Sequence, residues 1–144
     1  MTRLLVDASV LIKWFHAEGE RELVEARAIR DAHVAGEIDA HVLDLAFYEV
    51  GNVLVRALSW PPVDVADQLD DLLAILGPPI GMARNWLHDA AHLAHRERLS
   101  YYDASWAAAA QSLRIPLVSA DSKLVATGLA SSPSDIVSRL QLQP

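Results

Sequence analysis

The sequence predicts one α/β domain built on a mostly parallel sheet. Short apolar runs ending in aspartate lie near both ends of the chain, Leu4-Leu5-Val6 before Asp7 and Leu117-Val118-Ser119-Ala120 before Asp121. Between them stand several segments whose apolar residues recur at helical spacing, and strands alternating with helices argue for parallel pairing. The chain has 144 residues, 52% of them hydrophobic, which suits a single core over residues 1–144 and excludes a disordered chain. No internal repeat, low-complexity stretch or linker divides it.

Residues 3–6 form the first strand, too short and too apolar for an amphipathic helix. Residues 10–15 read as a short helix running into a charged loop around Glu18-Gly19-Glu20. Over residues 21–35, Leu23, Ala26, Ile29 and Val34 recur near helical spacing, with Gly36 as the stop. Residues 41–43 are the second predicted strand, and Asp44 is placed to cap the helix after it. That helix, residues 45–58, is apolar nearly all round and so expected to be buried, with Glu49, Asn52 and Arg56 as a polar stripe. Trp60-Pro61-Pro62 ends it, and residues 63–76 make another amphipathic helix. A connection rich in glycine and proline follows at residues 77–81, with room for a very short strand. Residues 83–99 and 101–113 are helical. Residues 115–119 repeat the logic of the first strand, a short helix follows Asp121, and the tail predicts a last strand near Ile136-Val137.

Nineteen acids against twelve bases leave a net charge of −7, so no uniformly basic nucleic-acid surface exists. Ten of the twelve bases are arginine, the better side chain for bidentate phosphate contacts. Cysteine is absent, which removes disulfides, thiolate zinc sites and cysteine nucleophiles. The stretch between Asp71 and Arg84 is broken by Gly77-Pro78-Pro79, so no membrane span is expected. Met1-Thr2-Arg3 leads into only three apolar residues, which is not a leader pattern, and a cytoplasmic protein is expected.

Ligand sites in such sheets lie beyond the carboxyl ends of the strands. Asp7 and Asp121 fall there if their strands are parallel neighbours. Glu49 sits one turn into the helix after the second strand, and Asp103 near the start of the alanine-rich helix before the third. Four acids are thus expected to converge. Each also has a structural alternative: Asp7 as a turn residue, Asp103 in a capping box with Ser100, Asp121 as a helix N-cap, Glu49 paired with Arg56 or with a distant arginine. Glu49 is the hardest to dismiss, because a carboxylate on an apolar helix is costly to bury without a partner or a metal. Two carboxylates about 4 Å apart repel by roughly 4 kcal/mol at an effective dielectric near 20. Four of them take up protons or recruit cations, and with oxygen ligands alone the cation is Mg²⁺ or Mn²⁺.

The acids stand in recognisable settings. Val6-Asp7-Ala8-Ser9-Val10-Leu11-Ile12-Lys13-Trp14 resembles the opening motif of PIN-domain proteins, especially VapC-type toxins of bacterial toxin–antitoxin pairs. Tyr48-Glu49-Val50-Gly51-Asn52-Val53-Leu54, Ser100-Tyr101-Tyr102-Asp103-Ala104 and Leu117-Val118-Ser119-Ala120-Asp121-Ser122-Lys123-Leu124 resemble the second, third and fourth, in order and at similar spacing. Any one motif is weak; the ordered set is strong. The resemblance implies a PIN-like three-layer fold and a Mg²⁺- or Mn²⁺-dependent endoribonuclease leaving 5′-phosphate and 3′-hydroxyl ends. Asp7, Glu49, Asp103 and Asp121 would be its catalytic and metal-binding acids. Ser9, Ser119 and Asn52 would orient carboxylates or waters. It also implies a homodimer and silencing by a VapB-like antitoxin.

Three other readings compete. A non-catalytic acidic cleft would capture a basic partner tail without cleaving anything. His88, His92 and His95 share one helical face, and His88-Asp89-Ala90-Ala91-His92 imitates a zinc-peptidase pattern, with an aspartate too short for the role and no further ligand marked. A receiver-like phosphoacceptor would want a second acid where Ala8 stands. For RNA contact, Lys13 and Trp14 are the candidates nearest Asp7, with Arg21, Arg27 and Arg30 behind them; core packing is expected for most of the tryptophans.

Overall fold

A computed structural model describes all 144 residues, Met1–Pro144. Three parallel strands form the sheet: β1 (Thr2–Val6) in the centre, β2 (Ile38–His41) on one side and β3 (Leu117–Val118) on the other. Parallel neighbours need crossovers. Helices α1 (Ala8–Phe15) and α2 (Leu23–Val34) carry the chain from β1 to β2. Helices α3 (Leu45–Asn52), α4 (Pro62–Leu76), α5 (Arg84–Glu97) and α6 (Tyr101–Leu113) carry it to β3. Helices α7 (Ser122–Ala126) and α8 (Pro133–Leu140) follow. The fold is a PIN-like α/β domain, a three-stranded parallel sheet flanked by eight helices.

The central strand is the most buried, with Leu4, Leu5 and Val6 fully inaccessible. Helix α6 owes its place to small side chains. Ala104 to Ala110 are all buried, so the helix packs closely against α5, and Ser105 satisfies its hydroxyl on the Tyr101 carbonyl at 2.7 Å. Helix α2 stops where expected, with Gly36 at φ +78°, a conformation glycine adopts at no steric cost.

Four local expectations are corrected. The second strand is residues 38–41 rather than 41–43. Ile38 and Ala40 are buried while Asp39 and His41 are not, the alternation of an edge strand that a search for continuous apolar runs overlooks. Leu43 makes only an isolated bridge to Ile80. Asp44 makes no side-chain cap; it already lies in helical conformation, and its backbone N–H donates to Ile80 O at 2.9 Å. The helix at residues 45–58 is not buried all round: Tyr48 and Val55 are exposed, and residues Val53–Ala57 form a π turn. The tail is helix α8 and not a strand. Ser132 caps it, Pro133 opens it, and Asp135 pairs with Arg139 at 3.1 Å, signals that outweigh the β-branched Ile136-Val137.

Candidate active site

Asp7 leaves β1 at its carboxyl end, its N–H bonded to Val118 O of β3 at 3.1 Å. The side chain caps α1, accepting from the Ser9 and Val10 N–H groups and from the Ser9 hydroxyl. It is buried, and this pushes its pKa up from 3.8 to about 6. The Ser119 and Ser9 hydroxyls and the Val10 N–H oppose the rise, and the charge of Asp103 adds to it. Glu49, on α3, is half-buried and accepts from the indole N–H of Trp106 at 2.7 Å. Burial raises its pKa from 4.5 to about 7; the carboxylates of Asp7 and Asp103 add to the rise against the Trp106 hydrogen bond.

Asp103 lies in the first turn of α6, where its N–H donates to the capping Ser100 hydroxyl at 3.1 Å. Its carboxyl is pushed up by burial and then by Asp121, against the Ser100 hydrogen bond and the Lys123 charge. Asp121 caps α7, accepting from the Lys123 and Leu124 N–H groups at 2.9 and 3.2 Å. The structural alternatives for Asp7, Asp103 and Asp121 therefore exist alongside their convergence: Asp7 and Asp121 cap the helices that follow β1 and β3, and Asp103 sits in the Ser100-capped first turn of α6. Arg56 falls in the π turn, exposed, and Glu49 pairs with Trp106 instead.

Two serines tie the edge together. Ser9 Oγ donates to Asp7 and accepts from the Ala120 N–H at 2.9 Å; Ser119 Oγ, fully buried, accepts from the Asp121 N–H at 3.1 Å and lies 3.4 Å from Ser9 Oγ. A cleft crosses this edge. One part, about 580 Å³, is lined by Ser9, Glu49, Asn52, Tyr48 and Tyr102; the other, about 940 Å³, by Ser9, Ser119, Asp121 and Lys13. Asn52 is exposed on the first part.

Five ion pairs form in the molecule, and none involves Asp7, Glu49, Asp103 or Asp121. The four carboxylates thus act on one another with no bound cationic side chain. Their all-oxygen donor chemistry fits Mg²⁺ or Mn²⁺, although no three of them are grouped tightly enough to hold an ion as they stand.

Of the remaining candidates, Lys13 and Arg21 border the wider part of the cleft and the others lie elsewhere. Trp14 is buried, its indole N–H bonded to Ala26 O at 2.9 Å, so it is a core residue and not an exposed RNA contact. Lys13 is buried and paired with Glu20 at 3.0 Å. Arg27 and Arg30 donate to the Lys13 and Trp14 carbonyls at 3.0 and 2.9 Å, closing the last turn of α1. His88, His92 and His95 are exposed on α5. Trp106 was missed as a site residue; its position three residues after Asp103, on the same helix, is the signal that would have found it.

No curated protein matches this chain. Two solved structures resemble it along most of its length. PAE2754 from Pyrobaculum aerophilum is 27% identical, with 99% of this chain and 98% of that chain covered and a TM-score of 0.68. A chain of FitAB bound to an IR36 DNA fragment is 14% identical, with 90% and 94% covered, and shares the fold at a TM-score of 0.68. The PIN domain model matches residues 4–128, and PIN domains are generally nucleases. With that match spanning β1 to the end of α7 and taking in all four acids, the chain belongs to the PIN domain family.

Proposed function

We propose that this protein is a Mg²⁺- or Mn²⁺-dependent endoribonuclease, the toxin of a toxin–antitoxin pair, with Asp7, Glu49, Asp103 and Asp121 as its catalytic and metal-binding acids. One observation carries the reading: Asp7, Glu49, Asp103 and Asp121 gather at the carboxyl edge of the sheet, burial and neighbouring carboxylates raise the pKa values of Asp7, Glu49 and Asp103, and no cationic side chain is ion-paired with any of the four. A stabilising cation from outside is the missing component.

Asp7, Glu49, Asp103 and Asp121 would hold the ions. When bound, the metal supplies a water activated for attack on the scissile phosphate and stabilises the charge on the leaving oxygen. The protein's own groups do the positioning. Ser9 and Ser119 fix the Asp7 carboxylate, the Trp106 indole fixes one oxygen of Glu49 and leaves the other free, and Asn52 lines the cleft one turn on. The motif resemblance to VapC-type toxins supports RNA as substrate, a homodimer and a VapB-like antitoxin. Such a partner would silence the enzyme by placing a cationic side chain among the unpaired acids. No helix is long and apolar enough to cross a membrane, in keeping with the proposed cytoplasmic location.

The test is incubation of the purified protein with total bacterial RNA in Mn²⁺ or Mg²⁺, beside EDTA and Asp103→Asn controls. Discrete fragments, lost in both controls, support the reading. Cleavage that survives EDTA, or calorimetry showing no Mn²⁺ binding, overturns it.

A further inference from the structure

Three tyrosines lie beside the proposed site, and they differ. Tyr101 is 44% exposed and its hydroxyl donates to Leu87 O at 2.8 Å, so it fastens α6 to α5. Tyr48 and Tyr102 are 77% and 60% exposed, and their hydroxyls have no partner within the chain. Both line the 580 Å³ part of the cleft, together with Glu49, Asn52 and Ser9. Leaving two large rings in water at a cleft that sets the polar groups of Ser9, Glu49 and Asn52 among apolar side chains wastes apolar area unless a ligand covers them.

Their placement follows from helix geometry. Tyr48 precedes Glu49 on α3, and Tyr102 precedes Asp103 on α6. Consecutive helical residues point about 100° apart. With each acid turned toward the interior, the tyrosine before it is turned to the rim. Two helices therefore each bring one carboxylate to the cleft and one ring beside it. The floor between them is α1, at Ala8, Ser9 and Ile12.

Resting on the ribonuclease reading above, we propose that Tyr48 and Tyr102 are positioning residues that stack on nucleobases on either side of the reacting phosphate. An apolar peptide would offer nothing to Asn52 or to the Glu49 oxygen that Trp106 leaves free, whereas a nucleotide strand offers flat bases to the rings and a phosphate to the metal ions that the acids would hold. Stacking also suits the electrostatics. A protein of net charge −7, with Lys13 already paired to Glu20, has few phosphate contacts to rely on. Ring stacking is sequence-tolerant and needs no cation. It does require unpaired bases, since bases in a duplex are already stacked on their neighbours.

The experiment measures binding, not turnover. Fluorescence anisotropy follows a labelled single-stranded RNA of random sequence, and the same strand annealed to its complement, with Ca²⁺ as the divalent ion. The wild-type protein binds the single strand more tightly than the duplex. Tyr48→Leu and Tyr102→Leu each weaken single-strand binding about tenfold while leaving duplex binding unchanged. Tyr48→Phe and Tyr102→Phe, which keep the ring, bind as wild type. Far-ultraviolet circular dichroism and sedimentation check fold and oligomeric state. Leucine variants that are folded and bind like wild type overturn the assignment, as does a phenylalanine variant that loses as much as leucine. If the leucine variants change only self-association, the rings belong to an interface between copies and the stacking role alone falls. If the wild-type protein binds neither RNA, the ribonuclease reading falls with it.

Discussion

Helix α4 carries four aspartates, Asp64, Asp67, Asp70 and Asp71, all of them exposed. The carboxyl edge of the sheet gathers Asp7, Glu49, Asp103 and Asp121, and none of these is exposed. The two regions hold the same number of carboxylates, yet at the sheet edge burial and neighbouring carboxylates raise the pKa values of Asp7, Glu49 and Asp103. On α4 water screens each charge. At the sheet edge, desolvation turns the same chemistry into stored repulsion that a metal ion can relieve. What distinguishes a site from an acidic surface is therefore the loss of water around the charges, not their number.

The largest expected break in this comparison comes from Asp7→Asn. It removes a proposed metal ligand while keeping a cap acceptor for the Ser9 and Val10 N–H groups, so the fold persists. Metal-dependent RNA cleavage should fall by about a thousandfold or more, several kcal/mol of lost transition-state stabilisation. Wild-type rates in this variant would remove Asp7 from the mechanism.

Next in size is the response of the metal-free protein to pH. Asp7 and Glu49 titrate higher folded than unfolded, so the folded state binds more protons between about pH 4 and 7. The stability they contribute is complete below about pH 4 and is lost as pH rises through about 6 and 7. Asp7 alone is worth about 3 kcal/mol at ~1.4 kcal/mol per tenfold shift. Urea unfolding should show stability falling over that window from these groups, and Asp7→Asn should flatten the fall. Millimolar Mn²⁺ should recover stability most at the upper end, where the carboxylates are free to bind it. A metal-free protein whose Asp7-dependent stability rises across the window would contradict the burial argument.

Smaller effects sharpen the contrast. Trp106→Phe keeps most of the packing volume but deletes the donor to Glu49, and should lower cleavage roughly 10–100-fold. Asp67→Asn on α4 and His92→Ala on α5 should leave cleavage within about twofold, the range of solvated surface changes. Loss of cleavage in folded His92→Ala would revive the histidine face as a catalytic candidate.

How much of this was legible depended on what each residue's neighbours contribute. Asp7 directly follows a buried apolar strand, Asp121 stands three residues after another, and each caps the next helix, so sequence alone sets both their place and their local geometry. The β2 edge was misplaced because Asp39 and His41 interrupt its apolar pattern, and an edge strand tolerates that. The tail was misread because Ile136-Val137 favours a strand locally, while Ser132, Pro133 and the Asp135–Arg139 pair act together to start a helix. Trp14 and Lys13 looked available because sequence distance from Asp7 says nothing about burial; both are claimed by contacts with α2 and its preceding loop. The Glu49–Trp106 hydrogen bond joins residues 57 positions apart, and no local pattern encodes such a pair.

The π turn at Val53–Ala57 has a consequence for how this chain can change length. Its Leu58 N–H reaches back five residues to Val53 O at 3.0 Å, so the turn holds one residue more than an α-helix would. Removing one residue there restores an ordinary α turn and leaves the bearing of the downstream chain nearly unchanged, because the wider turn had absorbed the extra residue. Glu49 lies upstream and keeps its bearing. Trp60, packed edge-on against Phe15 at 5.9 Å, lies downstream and keeps its seat. A single-codon deletion scan should therefore be tolerated better across residues 53–57 than across α6, which has no extra residue to give up. The turn works as a spacer, letting the chain shorten or lengthen behind the site without redirecting the glutamate in front of it.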